Sequence, residues 1–265
     1  MRAIDWEDIV AQLNRKGYAV ADEILSVQDT KDFIEIYEEG RGFYTHDDMR
    51  HLEKNATEAE YRHFGSGDAE NPQDMEVMAL VANFREQLYT NLRDISEAWE
   101  EAKAQISGAK DERQVFPKEY ADFQQHMAEH GLTHPFSAII QYHEGRGHPL
   151  HQDQYNRPVV FPFQMCFLLN DENDFSDGHF LVAEEGQDVV KVTLKRGSVV
   201  VFPSAYRILN MGTDLQTMRD VKHGVEPIIS NIGTENVCRT TLAIGCNNRV
   251  APEVYASLEG KTKAA

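Results

Sequence analysis

His151 and Asp153 are the pair of side chains best suited to chemistry in this chain. They sit in the string Gln141-Tyr142-His143-Glu144-Gly145-Arg146-Gly147-His148-Pro149-Leu150-His151-Gln152-Asp153-Gln154-Tyr155. In an extended strand, residues i and i+2 point to one face, so an imidazole and a carboxylate would reach the same point in space. A second, distant histidine would complete a two-histidine, one-carboxylate donor set. Such a set holds a metal, Fe(II) above all, from one side and leaves its other coordination positions open. Alone, His-x-Asp is a weak signal in a chain with 11 histidines and 44 acidic residues. It gains weight only if the rest of the chain supplies a third donor and an anchor for a co-substrate.

Downstream of Asp153 two histidines remain, His179 and His223. His179 follows a turn, Ser176-Asp177-Gly178, close in sequence to the first pair. His223 is flanked by β-branched residues in Val221-Lys222-His223-Gly224-Val225 and is the better third donor. Next comes the apolar run Val237-Cys238-Arg239-Thr240-Thr241-Leu242-Ala243-Ile244-Gly245, with an arginine inside it. Burying a guanidinium is unfavourable without an anion, and forked recognition of a carboxylate is what arginine does best. Arg239, Thr241, Ala243 and Gly245 share a strand face, so Thr241 adds a hydroxyl donor and the small residues leave room for a ligand. The competing reading is a structural ion pair with an internal acid. Tyr142 offers a second hydroxyl to the same carboxylate, or else packs as a core tyrosine. Gln164 shares a face with Cys166 and Leu168, where a buried amide needs a partner.

The elements that must position these groups divide the chain. Residues 1–134 read as mainly helical: Asp5–Lys16 stopped by Gly17, Val27–Glu39 capped by Ser26 and stopped by Gly40, a long helix opened by Asn71-Pro72, and Lys118–His130. A short strand, Tyr18–Val20, lies between the first two. Val77, Val81, Phe84, Leu88, Leu92, Ile95 and Trp99 form one apolar stripe on the long helix, which serves as core or as a dimer face. Residues 41–67 show no period; Arg62 and His63 there are substrate-contact candidates, against a solvated loop. From Pro135 to about residue 250 the chain breaks into short β-rich runs, Phe136–His143, Val159–Leu169, His179–Ala183, Val189–Leu194, Ser198–Phe202, Asp220–Val225 and Val237–Cys246. This pattern predicts an antiparallel sandwich or barrel. The tail, residues 251–265, is expected to fray. No linker separates the halves, so the expected fold is a single α+β domain with a mainly β core and the helices packed outside it.

A net charge of −18 disfavours binding to phosphate backbones, so no nucleic acid and no anionic membrane are expected as partners. Cys166, Cys238 and Cys246 read as reduced, buried thiols. The acidic N-terminus lacks the apolar core of a leader peptide, and the chain is expected to be cytoplasmic.

His151-x-Asp153, His223 and Arg239-x-Thr241, in that order, resemble the 2-oxoglutarate/Fe(II)-dependent oxygenases, in particular the prolyl-4-hydroxylase-like branch. Leu150-His151-Gln152-Asp153-x-Tyr155, Phe161-Pro162-Phe163-Gln164, Asp174-Phe175 with Gly178-x-Phe180, His223-Gly224-Val225 and Arg239-x-Thr241-Leu242 are similar to a largely uncharacterised bacterial family of that branch. The resemblance implies a double-stranded β-helix (jelly-roll) barrel. It further implies Fe(II) on His151, Asp153 and His223, 2-oxoglutarate held through its distal carboxylate by Arg239, Tyr142 and Thr241 with Gln164 lining the cavity, and O2 as co-substrate. Asp153 favours hydroxylation over halogenation, which in this class needs a small residue there. Nucleic-acid demethylases place a second arginine six positions after the first, where this chain has Gly245. The expected substrate is a small, amino-acid-like molecule, with Arg62, Arg146 and Arg157 as candidate contacts. The alternatives are a protein prolyl hydroxylase, a cupin-type metalloenzyme without 2-oxoglutarate, and a ligand-binding barrel. The chain departs from the family pattern at Asp177, where a glycine pair is usual, and at His179. It also has a longer gap between His223 and Arg239, expected to form an inserted turn.

Overall fold

Strand alternation in the centre of the molecule sorts side chains onto two cores, and the architecture follows from that sorting. The computed structural model describes residues 2–41, 43–48, 59–64, 72–109, 113–153, 160–171, 173–230 and 237–250. The expectations for Asn71, Arg157, Tyr155, the inserted turn beyond Ser230 and the tail 251–265 lie outside these residues. The elements in order are α1 Trp6–Lys16, β1 Ala19–Ala21, α2 Val27–Glu39, β2 Phe43–Asp48, β3 Ala59–Phe64, α3 Pro72–Ser107, α4 Tyr120–Glu129, β4 Leu132–His143, β5 His148–His151, β6 Phe163–Leu168, β7 Phe175–Asp177, β8 Phe180–Glu184, β9 Val190–Val192, β10 Val199–Pro203, β11 Tyr206–Leu209, β12 Thr217–Val225, β13 Ile228–Ser230 and β14 Cys238–Val250.

Seven strands form one sheet in the order β1-β10-β6-β14-β4-β3-β2. A second, smaller sheet runs β11-β12-β8-β9, with β5 paired to β12, and β13 pairs with β7. Every strand pair that supports the site is antiparallel. On β6, Met165 and Phe167 pack toward the helices with Phe84, Leu88 and Trp99 of α3, while Cys166 and Leu168 face the second sheet with Phe180, Val182, Val221 and Val225. All six residues of β6 are buried, as expected for a strand covered on both faces. The fold is therefore a mixed α/β arrangement of mostly antiparallel sheets with the helices on one outer face.

Helix ends obey local chemistry. Asp5 caps α1 through the Asp8 amide, and Ser26 and Asp29 form a reciprocal capping box on α2. Gly17 and Gly40 close these helices in the left-handed conformation. The stripe Val77, Val81, Phe84, Leu88, Leu92 and Trp99 is buried in the helix-side core, so it is core and not a dimer face, with Ile95 at its half-covered edge.

The structure corrects several expectations. Residues 41–67 are not a loop throughout: β2 and β3 pair and extend the large sheet from β4. The first 134 residues thus contribute three strands as well as helices. The strand expected over Val159–Leu169 is confined to Phe163–Leu168, and β5, β7, β11 and β13 are additional. Part of the segment expected as an inserted turn is β13, which pairs Ile228 with Asp177 of β7. Cys166 and Cys246 are buried free thiols, whereas Cys238 is only half-buried.

Candidate active site

β5 and β12 run antiparallel with His151 directly opposite His223. Two glycines allow this approach. A Cβ on Gly224 would lie 2.6 Å from the His148 carbonyl oxygen, and one on Gly147 would lie 2.4 Å from that of Val225. Both contacts are with backbone, which cannot swing aside, so these positions must lack a side chain. β5 ends at His151, so Asp153 is not on the same strand face by simple alternation; instead its amide donates to the Ser204 carbonyl at 3.0 Å. That bond turns the chain so that the carboxylate swings back: Asp153 Oδ1 is 3.7 Å from His151 Nε2, and Oδ2 is 3.4 Å from His223 Nε2. One ligand atom from each of the three lies within 4.8 Å of the others.

The protonation states suit metal binding. Burial, together with the neighbouring His223 and His148, pulls the His151 imidazole down to about 4, so it is neutral at pH 7. Its Nδ1 lies 2.9 Å from the Pro149 carbonyl, which can only accept, so the proton sits on Nδ1 and the Nε2 lone pair faces Asp153 and His223. Burial pushes the Asp153 carboxyl up, but hydrogen bonding and charge from His223, then charge from His151 and the Gln164 amide, outweigh it and hold the group at about 2. His223 is buried against Phe202, 4.7 Å between ring centroids, and its Nδ1 has no hydrogen-bond partner among the described residues. A neutral imidazole with a directed lone pair, a second imidazole and an ionised carboxylate are a donor set that fits Fe(II).

Gln164 lies beside Asp153. Its amide donates to Asp153 Oδ2, which orients the carboxylate. His179 Nδ1 lies 2.7 Å from Glu226 in a separate Asp177, His179 and Glu226 group. Asp177 adopts φ +59°, a left-handed conformation, which is where a glycine would be comfortable. Gly178 follows at φ +61°, and a Cβ there would strike Ile228 and press on Arg239.

Arg239 pairs across the sheet with Tyr142, and its guanidinium carbon lies 5.9 Å from the tyrosine ring centre. It is 1% exposed, and its Nε and Nη1 have no partner among the described residues. The structural ion pair weighed as an alternative is therefore absent there. Burial raises the Tyr142 pKa, so its hydroxyl stays a donor, and burial lowers that of Arg239, because the buried guanidinium charge lacks an anion beside it. A buried, unpaired guanidinium is the arrangement that an incoming carboxylate completes. The Thr241 hydroxyl faces the Ile140 carbonyl at 3.4 Å. Arg239 also borders a small cavity with Leu168, Phe175, Gly178 and Leu194.

The other candidates part company. Arg62 turns to the helix side, bonding the Tyr37 carbonyl and stacking on the Tyr37 ring, so it leaves the site. His63, one residue on, points to the face shared by Tyr142. Arg146 is exposed in a turn. The contribution of Gly147 and Gly224 went unread in the sequence, although a glycine directly after the ligand His223 was a usable signal. Arg249, close to His63, carried no signal at all.

A family described as an oxygenase catalysing oxidative methylation of damaged DNA matches residues 72–243. The chain belongs to this oxygenase family. It is therefore an oxygenase. Among solved structures it resembles a Trichoplax adhaerens prolyl hydroxylase in complex with a hypoxia-inducible-factor peptide, at 14% identity and a TM-score of 0.53, covering 90% of this chain and 86% of that one. A Pseudomonas putida prolyl-4-hydroxylase matches at 13% identity and TM-score 0.52 over 93% and 100% of the two chains. A 2-oxoglutarate–Fe(II) oxygenase from Burkholderia pseudomallei gives 14%, 0.52, 95% and 98%. These likenesses concern the fold. No curated protein matches the chain. No helix among the described residues is long and apolar enough to cross a membrane.

Proposed function

We propose that the oxygenase hydroxylates an unactivated C–H bond of a small, amino-acid-like molecule, in a single domain whose two facing sheets form a double-stranded β-helix. In this reading His151, Asp153 and His223 hold Fe(II), and Arg239 with Tyr142 holds the distal carboxylate of 2-oxoglutarate. When bound, the metal, 2-oxoglutarate and O2 supply the oxidising power, with one oxygen atom entering the substrate and the other leaving in succinate as CO2 is released. The residues do the placing. Gln164 fixes the Asp153 carboxylate, the Pro149 carbonyl fixes the His151 tautomer, and Phe180 and Phe202 shield His223 from water. Arg239 sets the length of the co-substrate site.

The observation that carries the reading is the unpaired, buried Arg239 on the face that looks toward the convergent His151, Asp153 and His223. A cupin-type enzyme or a simple ligand-binding barrel has no need of such an arginine. Two further substrate classes have a specific basis: peptides, from the prolyl hydroxylase neighbours, and damaged DNA, from the description of the family. The net charge of −18 and Gly245 weigh against DNA. The test is succinate formation with Fe(II) and 2-oxoglutarate, alongside mass spectrometry for a gain of one oxygen. Its panel comprises amino acids, peptides and methylated single-stranded oligonucleotides. Oxygen gain on an amino acid, lost in Asp153→Ala and Arg239→Ala, supports the proposal. Gain on an oligonucleotide alone refutes the substrate class, and no 2-oxoglutarate turnover with any of them refutes the assigned co-substrate site.

A further inference from the structure

We infer that Asp177, His179 and Glu226 form a second divalent-cation site, on the outer face of the smaller sheet and independent of the function proposed above. Strand alternation puts it there. Phe180 of β8 pairs with Val225 of β12, and both side chains are buried in the core between the sheets. Their chain neighbours His179 and Glu226 therefore point the other way. The Glu226 amide donates to the His179 carbonyl at 3.0 Å, which carries the ladder one step past the strand end and keeps the two side chains abreast. Asp177 closes β7, where it pairs with Ile228 of β13. One ligand atom from each of the three lies within 4.8 Å of the others. His223 stacks on Phe180 on the inner face, so the sheet itself separates this group from His151, Asp153 and His223.

The donors are of the right kind and nearly in place. His179 Nδ1 lies 2.7 Å from Glu226 Oε2. With bonds of about 2.1 Å, two donors on a tetrahedral Zn(II) stand about 3.4 Å apart, so a cation enters by widening this pair by less than about 1 Å. The imidazole proton then moves from Nδ1 to Nε2, which has no partner among the described residues, and the neutral ring stays neutral. Lys191 bonds the other Glu226 oxygen, Oε1, and leaves Oε2 for the metal. The Asp177 carboxylate is exposed and enters no hydrogen bond or ion pair among the described residues, so it is free to turn inward as the third donor. Two carboxylates against one ammonium leave the group with a net charge of −1 for a dication to neutralise. The imidazole favours Zn(II) and its neighbours in the first transition row over Mg(II) or Ca(II), which prefer oxygen donors alone.

The place of the site in the fold says what the cation does. Gly178 stands between two of the ligands, and a Cβ on it would lie 3.2 Å from Arg239 Cδ. Asp177, Gly178 and His179 together line the cavity that Arg239 borders. A cation that joins Asp177 and His179 to Glu226 ties the end of β7 and the start of β8 to the end of β12. It thereby fixes the wall against which the Arg239 side chain lies.

The test titrates the full chain, stripped of metal, with Zn(II) by isothermal calorimetry. A His151→Ala/Asp153→Ala background leaves His223 alone in the other set and isolates the second site. Expected there is one bound equivalent, with a rise in Tm on adding Zn(II). Adding His179→Ala should weaken that equivalent by at least about tenfold, the loss of one of three ligands. Adding Lys191→Met instead should tighten it by at least about threefold, because a like charge beside the cation is removed. Asp177→Asn, at an exposed position, replaces His179→Ala if thermal unfolding shows that variant misfolded. In the wild-type background the same ligand substitutions should lower the stoichiometry by one, which keeps the test valid if the double background does not fold. Absence of Zn(II) binding in the isolating background, an equivalent untouched by both His179→Ala and Asp177→Asn, or weaker binding in Lys191→Met would each overturn the site.

Discussion

Replacing Arg239 by methionine should move stability in opposite directions with and without 2-oxoglutarate. In the ligand-free protein the guanidinium is 1% exposed with Nε and Nη1 unpaired among the described residues. Each buried unsatisfied donor costs about 1–3 kcal/mol, and methionine keeps most of the aliphatic volume without any donor. Allowing for imperfect repacking, the ligand-free variant should gain about 2 kcal/mol, which in a chain of this size raises Tm by about 4–8 °C. With co-substrate the sign reverses. Truncating one partner of a buried, hydrogen-bonded charge pair costs about 2–5 kcal/mol, a loss of roughly 30-fold to several thousandfold in affinity. At a concentration near 100 times its Kd, 2-oxoglutarate should stabilise the wild type by about 2.7 kcal/mol and the variant by almost nothing. Thermal unfolding with Mn(II) in place of Fe(II), with and without 2-oxoglutarate, reads both effects in one experiment. A ligand-free variant less stable than wild type that still shifts fully with 2-oxoglutarate would show that Arg239 is an ordinary structural arginine and that the anchor lies elsewhere.

Gly224→Val should push β5 off β12, because its Cβ would meet the His148 carbonyl at 2.6 Å; expected are a loss of about 1–3 kcal/mol in stability and a large loss of metal affinity. Circular dichroism with Co(II) titration separates the two, and full metal affinity would contradict the close-approach argument. Gln164→Leu removes the amide that holds Asp153, and metal affinity should fall about 10–100-fold with the fold retained, measured by the same titration. Because His151 is held at about 4, below its unfolded value of about 6.5, the unfolded chain binds its proton first as pH drops. The metal-free protein should therefore lose stability relative to His151→Gln between about pH 6.5 and 4, with the difference between the two constant above that window, as read by urea unfolding at pH 7.5 and 4.5. An unchanged difference across the window would mean His151 is not held neutral. Asp177→Gly relieves a left-handed aspartate at φ +59° and should stabilise the chain by about 1 kcal/mol, or leave Tm unchanged if that conformation is unstrained.

What the sequence made legible follows from how local each determinant is. The α1 and α2 ends were readable because an N-cap and a left-handed glycine act within one helical turn, and the α3 stripe because burial repeats along a helix. His151, Asp153 and His223 were readable as a set, yet the strand alternation first used to join His151 to Asp153 is not what joins them. β5 stops at His151, and the Asp153 amide reaches a partner in Ser204, 51 residues on, which no local pattern announces. Gln164 had the same fate: its strand face was right, but the group it meets comes from another strand's end. β2 and β3 were missed because their run of mixed polar residues lies at the margin of the sheet, where one edge is unpaired and alternation is weak. That omission matters most for function. Once β3 is in register with β4, alternation sends Arg62 to the Tyr37 side and His63 to the inner face, and His63 meets Arg249 across 186 positions of chain. Two adjacent residues, both candidate substrate contacts in sequence, are thereby separated by the pleat of one strand, because a register that only the neighbouring strand sets decides which of them faces in.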